Sequence, residues 1–473
     1  MVFNSLSFIL FFAVVLLVHN LPLPWTVKKL NLLAASYIFY AAWSPAFLLL
    51  LLFSTLFNFY MGRVIDAADE RRARKLRLII ALVVNLGLLA FFKYTNFFLS
   101  NFTFLLNTFG LGLRPASFSI ALPLGISFYT FQTLSYLLDI YYRHIKPTQS
   151  PLDFGLYVAF FPKVIAGPIV RAKEFLPQCE EPRQATRAEL SWGLTLVLVG
   201  LFEKTVVADN LFAPIANLVY SSPARPDLVS AWCGTLAVAG QIFYDFAGYS
   251  TCALGVALCL GFKLPENFYY PYAAVGFADF WRRWHITLST WLRDYLFFSL
   301  GGIRKGAGRI YLNLLITMLL AGLWHGPTWA FVAWGGLHGL FLVGERSLQR
   351  RRVPGGKAWR KPAVQFALAL GTFVMVSLTW VFFNAREMGR ALDIVASMFG
   401  LRHGVRALYT TRILSVLVGV AVMLVLHWLM RNSSLEQVAR RTPWWLRSVA
   451  MALMLVSIVL TQGEDRAFIY FQF

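Results

Sequence analysis

A chain of 473 residues with 58% hydrophobic and only 14% charged side chains departs from the roughly 45–50% apolar and about 25% charged make-up of soluble domains. Disorder, a secreted disulfide framework and an ordinary cytosolic enzyme are thereby excluded. The 43 Lys and Arg against 22 Asp and Glu leave +21, which in a soluble chain points to nucleic acid but in a membrane chain sets orientation.

Apolar runs approaching the roughly 20 residues of a spanning helix recur along the chain. They are Ser5–Leu21, the hairpin Leu30–Trp43 and Pro45–Met61, Leu78–Leu99, Phe118–Tyr141, Leu190–Phe212, Val229–Phe262, Tyr311–Gly344, Ala363–Phe383, Arg412–Met430 and Trp445–Thr461. The expected fold class is all-α, a polytopic integral membrane protein with roughly 11–13 transmembrane helices plus re-entrant or interfacial helices. The run after Ser5 lacks the basic n-region and small-residue cleavage site of a signal peptide and reads as the first span. As one helix, Tyr311–Gly344 would be about 50 Å long in a hydrocarbon core of about 30 Å. It must break or tilt, and Gly326-Pro327 supplies the break.

Cations in short loops give the register. Lys28 and Lys29, then Arg63 and the Arg71–Arg77 cluster, then Arg143 and Lys146, alternate with cation-poor connections, so the N-terminus starts outside. The loops Glu345–Lys361 and Arg431–Arg447 read as cytoplasmic, which leaves the tail 462–473 outside as well. Asn384–Thr411 should be external yet carries Arg386, Arg390, Arg402 and Arg406; it reads as an interfacial amphipathic helix plus loop. With no aromatic-interleaved basic domain, the cations meet the lipid bilayer rather than nucleic acid.

Ionisable groups at membrane depth are costly and mark function. Phe160–Arg171 sets Lys163 and Arg171 among two prolines and Gly167, poor sequence for a straight span. Glu203-Lys204 reads as a neutral ion pair, and Asp245 lies within a long apolar stretch. Asp279–Asp294 packs Asp279, Arg282, Arg283, His285, Arg293 and Asp294 among Trp281, Trp284 and Trp291. A re-entrant, cavity-lining helix satisfies that composition, as does an interfacial helix with a Trp belt and snorkelling arginines. His325, beside the Gly-Pro break, is a candidate general base; His338 is assigned to packing. Cys179, Cys233, Cys252 and Cys259 lack CxxC spacing and read as packing thiols. No metal-binding spacing, GxSxG elbow, Walker loop or dinucleotide fingerprint occurs, so no metal and no bound cofactor is expected.

The blocks Phe161–Arg171, Tyr244-Asp-Phe-Ala-Gly-Tyr-Ser250, Asp279–Asp294 and Trp324-His325-Gly326, in this order, resemble the membrane-bound O-acyltransferase (MBOAT) family, in its bacterial branch of alginate, cellulose and peptidoglycan O-acetylation. The resemblance implies one many-helix domain over 1–473 around a central funnel, with a catalytic core at 154–344 and an external tail at 462–473. It implies a bacterial inner membrane protein with both termini periplasmic, acetyl-CoA as donor, and an exported polysaccharide, alginate- or cellulose-like, as final acceptor. A periplasmic acetyltransferase partner of the SGNH-hydrolase type is implied too. His325 corresponds to the catalytic histidine and His285 to the second active-site histidine. Phe468-Ile-Tyr-Phe-Gln-Phe473 resembles the C-terminal acyl-relay motif of the small partner in teichoic acid D-alanylation, with Phe468 two positions before Tyr470; Tyr470 would carry the acyl group, or the segment is an aromatic tail at the outer interface. Trp324, Asp245, Arg282, Arg283 and Arg293 are the expected substrate-binding residues, and Arg304, Lys305 and Arg309 could also meet the phosphates of CoA. A transporter or flippase, or a scaffold of a polymer export complex, would use the same buried charges without acyl-transfer chemistry.

Overall fold

The computed structural model describes residues 3–114, 118–304, 306–351 and 361–461. Tyr470, the rest of the tail 462–473 and Lys305 lie outside them. Among the described residues the secondary structure is helical, apart from an isolated bridge between Pro226 and Val405. Among the described residues, seven helices are long and apolar enough to cross a membrane: Pro45–Asp66, Arg71–Thr108, Arg187–Tyr220, Leu228–Cys259, Gly306–His325, Pro362–Ala385 and Thr410–Leu429. Leu6–Asn20 and Trp444–Leu460 are shorter apolar helices. The chain folds into two compact units, Met1–Val197 with Ser250–Pro265, and Leu198–Tyr249 with Glu266–Phe473.

The first unit contains α1 (Leu6–Asn20), α2 (Trp25–Ala41), α3 (Pro45–Asp66), α4 (Arg71–Thr108), α5 (Ile126–Tyr141), α6 (Pro151–Ala159) and α7 (Ala172–Glu180). Sequence sets their ends. The Ser5 hydroxyl accepts from Phe8 N at 3.2 Å to cap α1, and Pro45 opens α3 at a position that has no N–H to lose. The expected run Phe118–Tyr141 is helical only from Ile126, because Pro123 and the left-handed Gly125 (φ 71°) end the extended approach to α5. At 16 residues α5 is short for a span, and nearly all of its side chains are buried in the unit. That environment lets it carry Gln132, Thr133, Ser135 and Asp139.

Several buried polar groups in this unit are paired. Asn58 of α3 and Asn85 of α4 exchange side-chain amide hydrogen bonds at 3.0 and 2.8 Å. Lys29 forms an ion pair with Asp153 and donates to Cys179 O at 3.2 Å. The segment 160–171 is a series of tight turns, as its prolines require. Lys163, fully buried, holds it by donating to Gln132 Oε1 at 2.7 Å and Tyr157 O at 2.5 Å. Its ammonium also lies 4.9 Å from the Tyr157 ring centre and 5.1 Å from that of Phe175, within cation–π range.

The second unit contains the continuation of α8 (Arg187–Phe202) into a wider, i→i+5 turn over Glu203–Phe212, then α9 (Ala213–Tyr220) and most of α10 (Leu228–Cys259). After them come α11 (Phe277–Arg283), α12 (Ile286–Trp291), α13 (Gly306–His325), α14 (Trp329–Arg351), α15 (Pro362–Ala385), α16 (Met388–Met398), α17 (Thr410–Leu429), α18 (Leu435–Arg441) and α19 (Trp444–Leu460). The run Tyr311–Gly344 is divided as its Gly326-Pro327 pair predicts, with α13 ending at His325 and α14 starting at Trp329. The segment Asn384–Thr411 contains the expected short helix, α16, which buries Ala391, Ile394 and Met398. Two of its cations are held locally: Arg390 donates to Val219 O at 2.6 Å and to Ala224 O at 3.2 Å, and Arg402 pairs with Asp393, which Arg225 also reaches.

The Asn58–Asn85 pair can be tested by stability. Replacing Asn58 with Leu strands Asn85 Oδ1, while Asn85 Nδ2 keeps its bond to Ala81 O, and is expected to cost about 1–2 kcal/mol, read as a lower thermal unfolding midpoint in detergent. The Asn58→Leu/Asn85→Leu double variant should recover part of that loss, since it leaves neither amide buried alone. A double variant that falls by the sum of the two single losses would rule out the pairing.

Candidate active site

The site residues of the second unit are built around the α13–α14 hairpin. A Cβ at Gly322 would lie 2.2 Å from Phe331 O, and one at Gly335 would lie 2.2 Å from Met318 O. The two helices therefore meet backbone to backbone, which only small residues permit. Pro327 prevents α13 from continuing, so His325 is its last residue. The His325 ring is 2% exposed and is walled by aromatics. Trp324 lies 4.9 Å away, Trp334 of α14 5.0 Å at 86°, and Phe383 of α15 5.3 Å at 68°.

His285 occupies the turn between α11 and α12 in the left-handed region, φ 41° and ψ 56°. A non-glycine residue there is strained, and such strain concentrates at functional sites. Asn267 sustains the turn. Its backbone carbonyl accepts from Ile286 N at 2.9 Å, and its Oδ1 accepts from Thr287 N at 3.3 Å and Thr287 Oγ1 at 2.9 Å. The same Oδ1 lies 3.1 Å from His285 Nδ1. An oxygen already accepting from a backbone N–H must accept from the imidazole as well, so Nδ1 carries the proton and, in the neutral ring, Nε2 carries the lone pair. The His285 ring contacts Phe246 of α10 at 4.7 Å and Trp324 at 6.1 Å. Trp324 thus touches both histidines, which are separated by 40 positions in sequence.

The charged residues sort by exposure. Asp245 is 2% exposed and accepts an ion pair from Lys204 at 2.5 Å; Lys204 also reaches Asp209 at 2.9 Å. The expected Glu203–Lys204 pairing is thereby corrected. In the widened turn Lys204 is drawn to two buried carboxylates, and adjacent side chains on a helix do not face each other. Arg283 is committed to the protein, with Nε at 3.1 Å from Asp279 Oδ1 and Nη1 donating to Tyr269 O and Arg431 O at 3.3 and 3.0 Å. Arg282 and Arg293 are different: their side chains are 72% and 57% exposed, with contacts to Asp279 at 3.8 Å and Asp294 at 2.7 Å. The Glu345 carboxylate caps α11 by accepting from Phe277 N at 2.6 Å and Ala278 N at 3.0 Å. Among the described residues no group of three or more His, Cys, Asp or Glu is placed to hold a metal ion.

Sequence reasoning had not singled out Asn267, Trp334, Phe383 or Glu345 for these roles. Trp334 had a local signal, since it follows the helix break within the same aromatic-rich run as His325. Asn267 and Glu345 act on residues 18 and 68 positions away and had none.

The profile of the MBOAT, membrane-bound O-acyltransferase family, matches residues 120–383, a range that contains both histidines and their walls. The chain is 40% identical over 400 residues to "Probable alginate O-acetylase AlgI" of Azotobacter vinelandii, covering 84% of this chain and 78% of that one. It is 32% identical over 492 residues to "Peptidoglycan O-acetyltransferase" of Helicobacter pylori, covering 94% and 91%. A third match, 29% over 285 residues, is to "Teichoic acid D-alanyltransferase" of Streptococcus thermophilus, covering 55% of this chain and 68% of that one. With helices able to cross a membrane several times and these matches over most of its length, the chain belongs to the membrane-bound O-acyltransferase family and is a multi-pass membrane acyltransferase.

Proposed function

We propose that this protein moves an acetyl group from cytoplasmic acetyl-CoA across the bacterial inner membrane for the O-acetylation of an exported polysaccharide, with His325 as general base. The observation that carries the reading is the placement of His325 at a helix break inside an aromatic enclosure, with His285 reached through Trp324. The names of the relatives, alginate and peptidoglycan O-acetylation, support an acetyl group and a polysaccharide acceptor.

The chemistry asks little of the protein beyond placement. A thioester is already activated; the acceptor hydroxyl attacks its carbonyl carbon, the C–S bond breaks, and the hydroxyl proton passes through His325 to the departing thiolate. Positioning and proton transfer supply the acceleration. His285, its Nδ1–H held by Asn267, offers Nε2 as a second acceptor. If Tyr470 is the first acceptor, its phenol oxygen takes the acetyl as an ester and a second hydroxyl then removes it, which divides the transfer into two steps. The final acceptor is reached directly or through a periplasmic acetyltransferase partner of the SGNH-hydrolase type. Arg282 and Arg293, exposed on the segment that carries His285, are suited to the phosphates of CoA; Arg283 and Asp245 act by holding their helices, and Trp324 forms the wall common to both histidines.

Purified protein should release CoA from acetyl-CoA in the presence of a polysaccharide acceptor. His325→Gln is expected to lower that kcat by about 10²–10⁴-fold, and wild-type turnover in this variant would sink the assignment. Arg282→Ala and Arg293→Ala should each raise KM for acetyl-CoA about three- to tenfold with little change in kcat, since they remove exposed phosphate contacts; a fall in kcat at constant KM would argue against that role. For the relay, labelled acetyl-CoA should leave label on the C-terminal peptide of the wild type and none on that of Tyr470→Phe. Equal labelling of the two proteins eliminates Tyr470 as a carrier.

A further inference from the structure

We propose that His338, together with Thr379, is a positioning residue for the acyl transfer: the hydrogen bond between them locks α14 to α15 and thereby sets the two aromatic walls that orient His325. The inference rests on the reading of His325 as the general base. Both residues are fully buried, with His338 Nε2 2.9 Å from Thr379 Oγ1. The Thr379 hydroxyl donates its single proton to Val376 O at 2.7 Å, so in this pair His338 is the donor and Thr379 Oγ1 the acceptor.

The geometry connects this bond to the site. One helical turn before His338 on α14 stands Trp334, and one turn after Thr379 on α15 stands Phe383. Because the helices pair 338 with 379 and 334 with 383, they run antiparallel, and both steps lead in the same direction along the interface. Trp334 and Phe383 meet at 5.4 Å and 65°, and each presents its ring to His325, at 5.0 and 5.3 Å. The His338 imidazole adds direct contacts to Trp334 at 4.8 Å and Trp281 at 5.1 Å. On its other side α14 is fixed to α13 by the backbone contact at Gly335. The His338–Thr379 bond is therefore a polar register mark between α14 and α15, one turn from the general base, in an interface otherwise lined here by aromatic rings. Rings alone tolerate small slides; a buried hydrogen bond left half unmade does not. A base displaced by about 1 Å costs on the order of 10²-fold in rate.

Thr379→Val removes the acceptor at nearly constant volume, and Thr379→Ser retains it. In the acetyl-CoA assay Thr379→Val is expected to lower kcat about 10- to 100-fold while KM for acetyl-CoA stays within about twofold, and Thr379→Ser should remain within about threefold of wild type. His338→Leu should match Thr379→Val, and His338→Gln, which keeps an N–H donor, should recover part of the loss. Wild-type kcat in Thr379→Val, or an equal fall in Thr379→Ser, overturns the proposal. His325→Gln in the same assay tests the underlying reading separately. If it keeps full turnover, that reading fails, and the clamp is judged by the imidazole ¹⁵N spectrum of histidine-labelled protein, in which the His325 signal is the one lost in His325→Gln. A signal displaced in Thr379→Val and unmoved in Thr379→Ser supports the clamp; one unmoved in both refutes it.

Discussion

The close backbone contact between α13 and α14 is the constraint on which the second unit's site depends. Gly322 and Gly335 remove the side chains that would hold the helices apart, and Gly326-Pro327 ends the first helix at His325. Without a hydrophobic force between helices in lipid, such close packing is what association there relies on. The histidine that ends α13 at this break is itself enclosed by Trp324, Trp334 and Phe383, the protein surroundings in which irregular backbone at membrane depth occurs.

A second regularity is how each unit accommodates ionisable groups away from water. In the first, Lys163 is held by a side-chain amide, a backbone carbonyl and two aromatic faces, and Lys29 by Asp153. In the second, Lys204 is placed against Asp209 and Asp245, and Arg283 and Arg431 converge on Asp279. Burying a charge is tolerated only with such partners. Many of the intramembrane charges that draw attention in the sequence therefore hold the fold together, and Arg282 and Arg293 are set apart by their exposure.

Much of the helical layout was legible from residue pattern. Pro45 at the start of α3, the Gly-Pro division of Tyr311–Gly344 and the non-helical character of 160–171 follow from proline and glycine chemistry, which acts on neighbouring residues. Long-range pairing was less legible. Glu203 looked like the partner of Lys204 because it is adjacent, whereas the widened turn over 203–212 directs the ammonium to Asp209 and Asp245. Several expected spans, α5 among them, are shorter than a crossing requires, since a helix buried within the unit answers to its neighbours rather than to bilayer thickness.

By itself the sequence determined an all-helical membrane chain, a broken helix at His325 and a charged, aromatic-rich segment around His285, because composition, hydropathy and the dihedral limits of Pro and Gly are properties of neighbouring residues; the left-handed turn at His285 that divides that segment into α11 and α12 came only with the structure. Only the tertiary structure decided that Asn267 holds the proton on His285 Nδ1, that Glu345 caps α11, and that Trp334 and Phe383 share the His325 enclosure under the His338–Thr379 bond. Those contacts join residues tens of positions apart, and a hydrogen bond a few ångströms long depends on how helices pack in space, for which a single chain read in order carries no local signal.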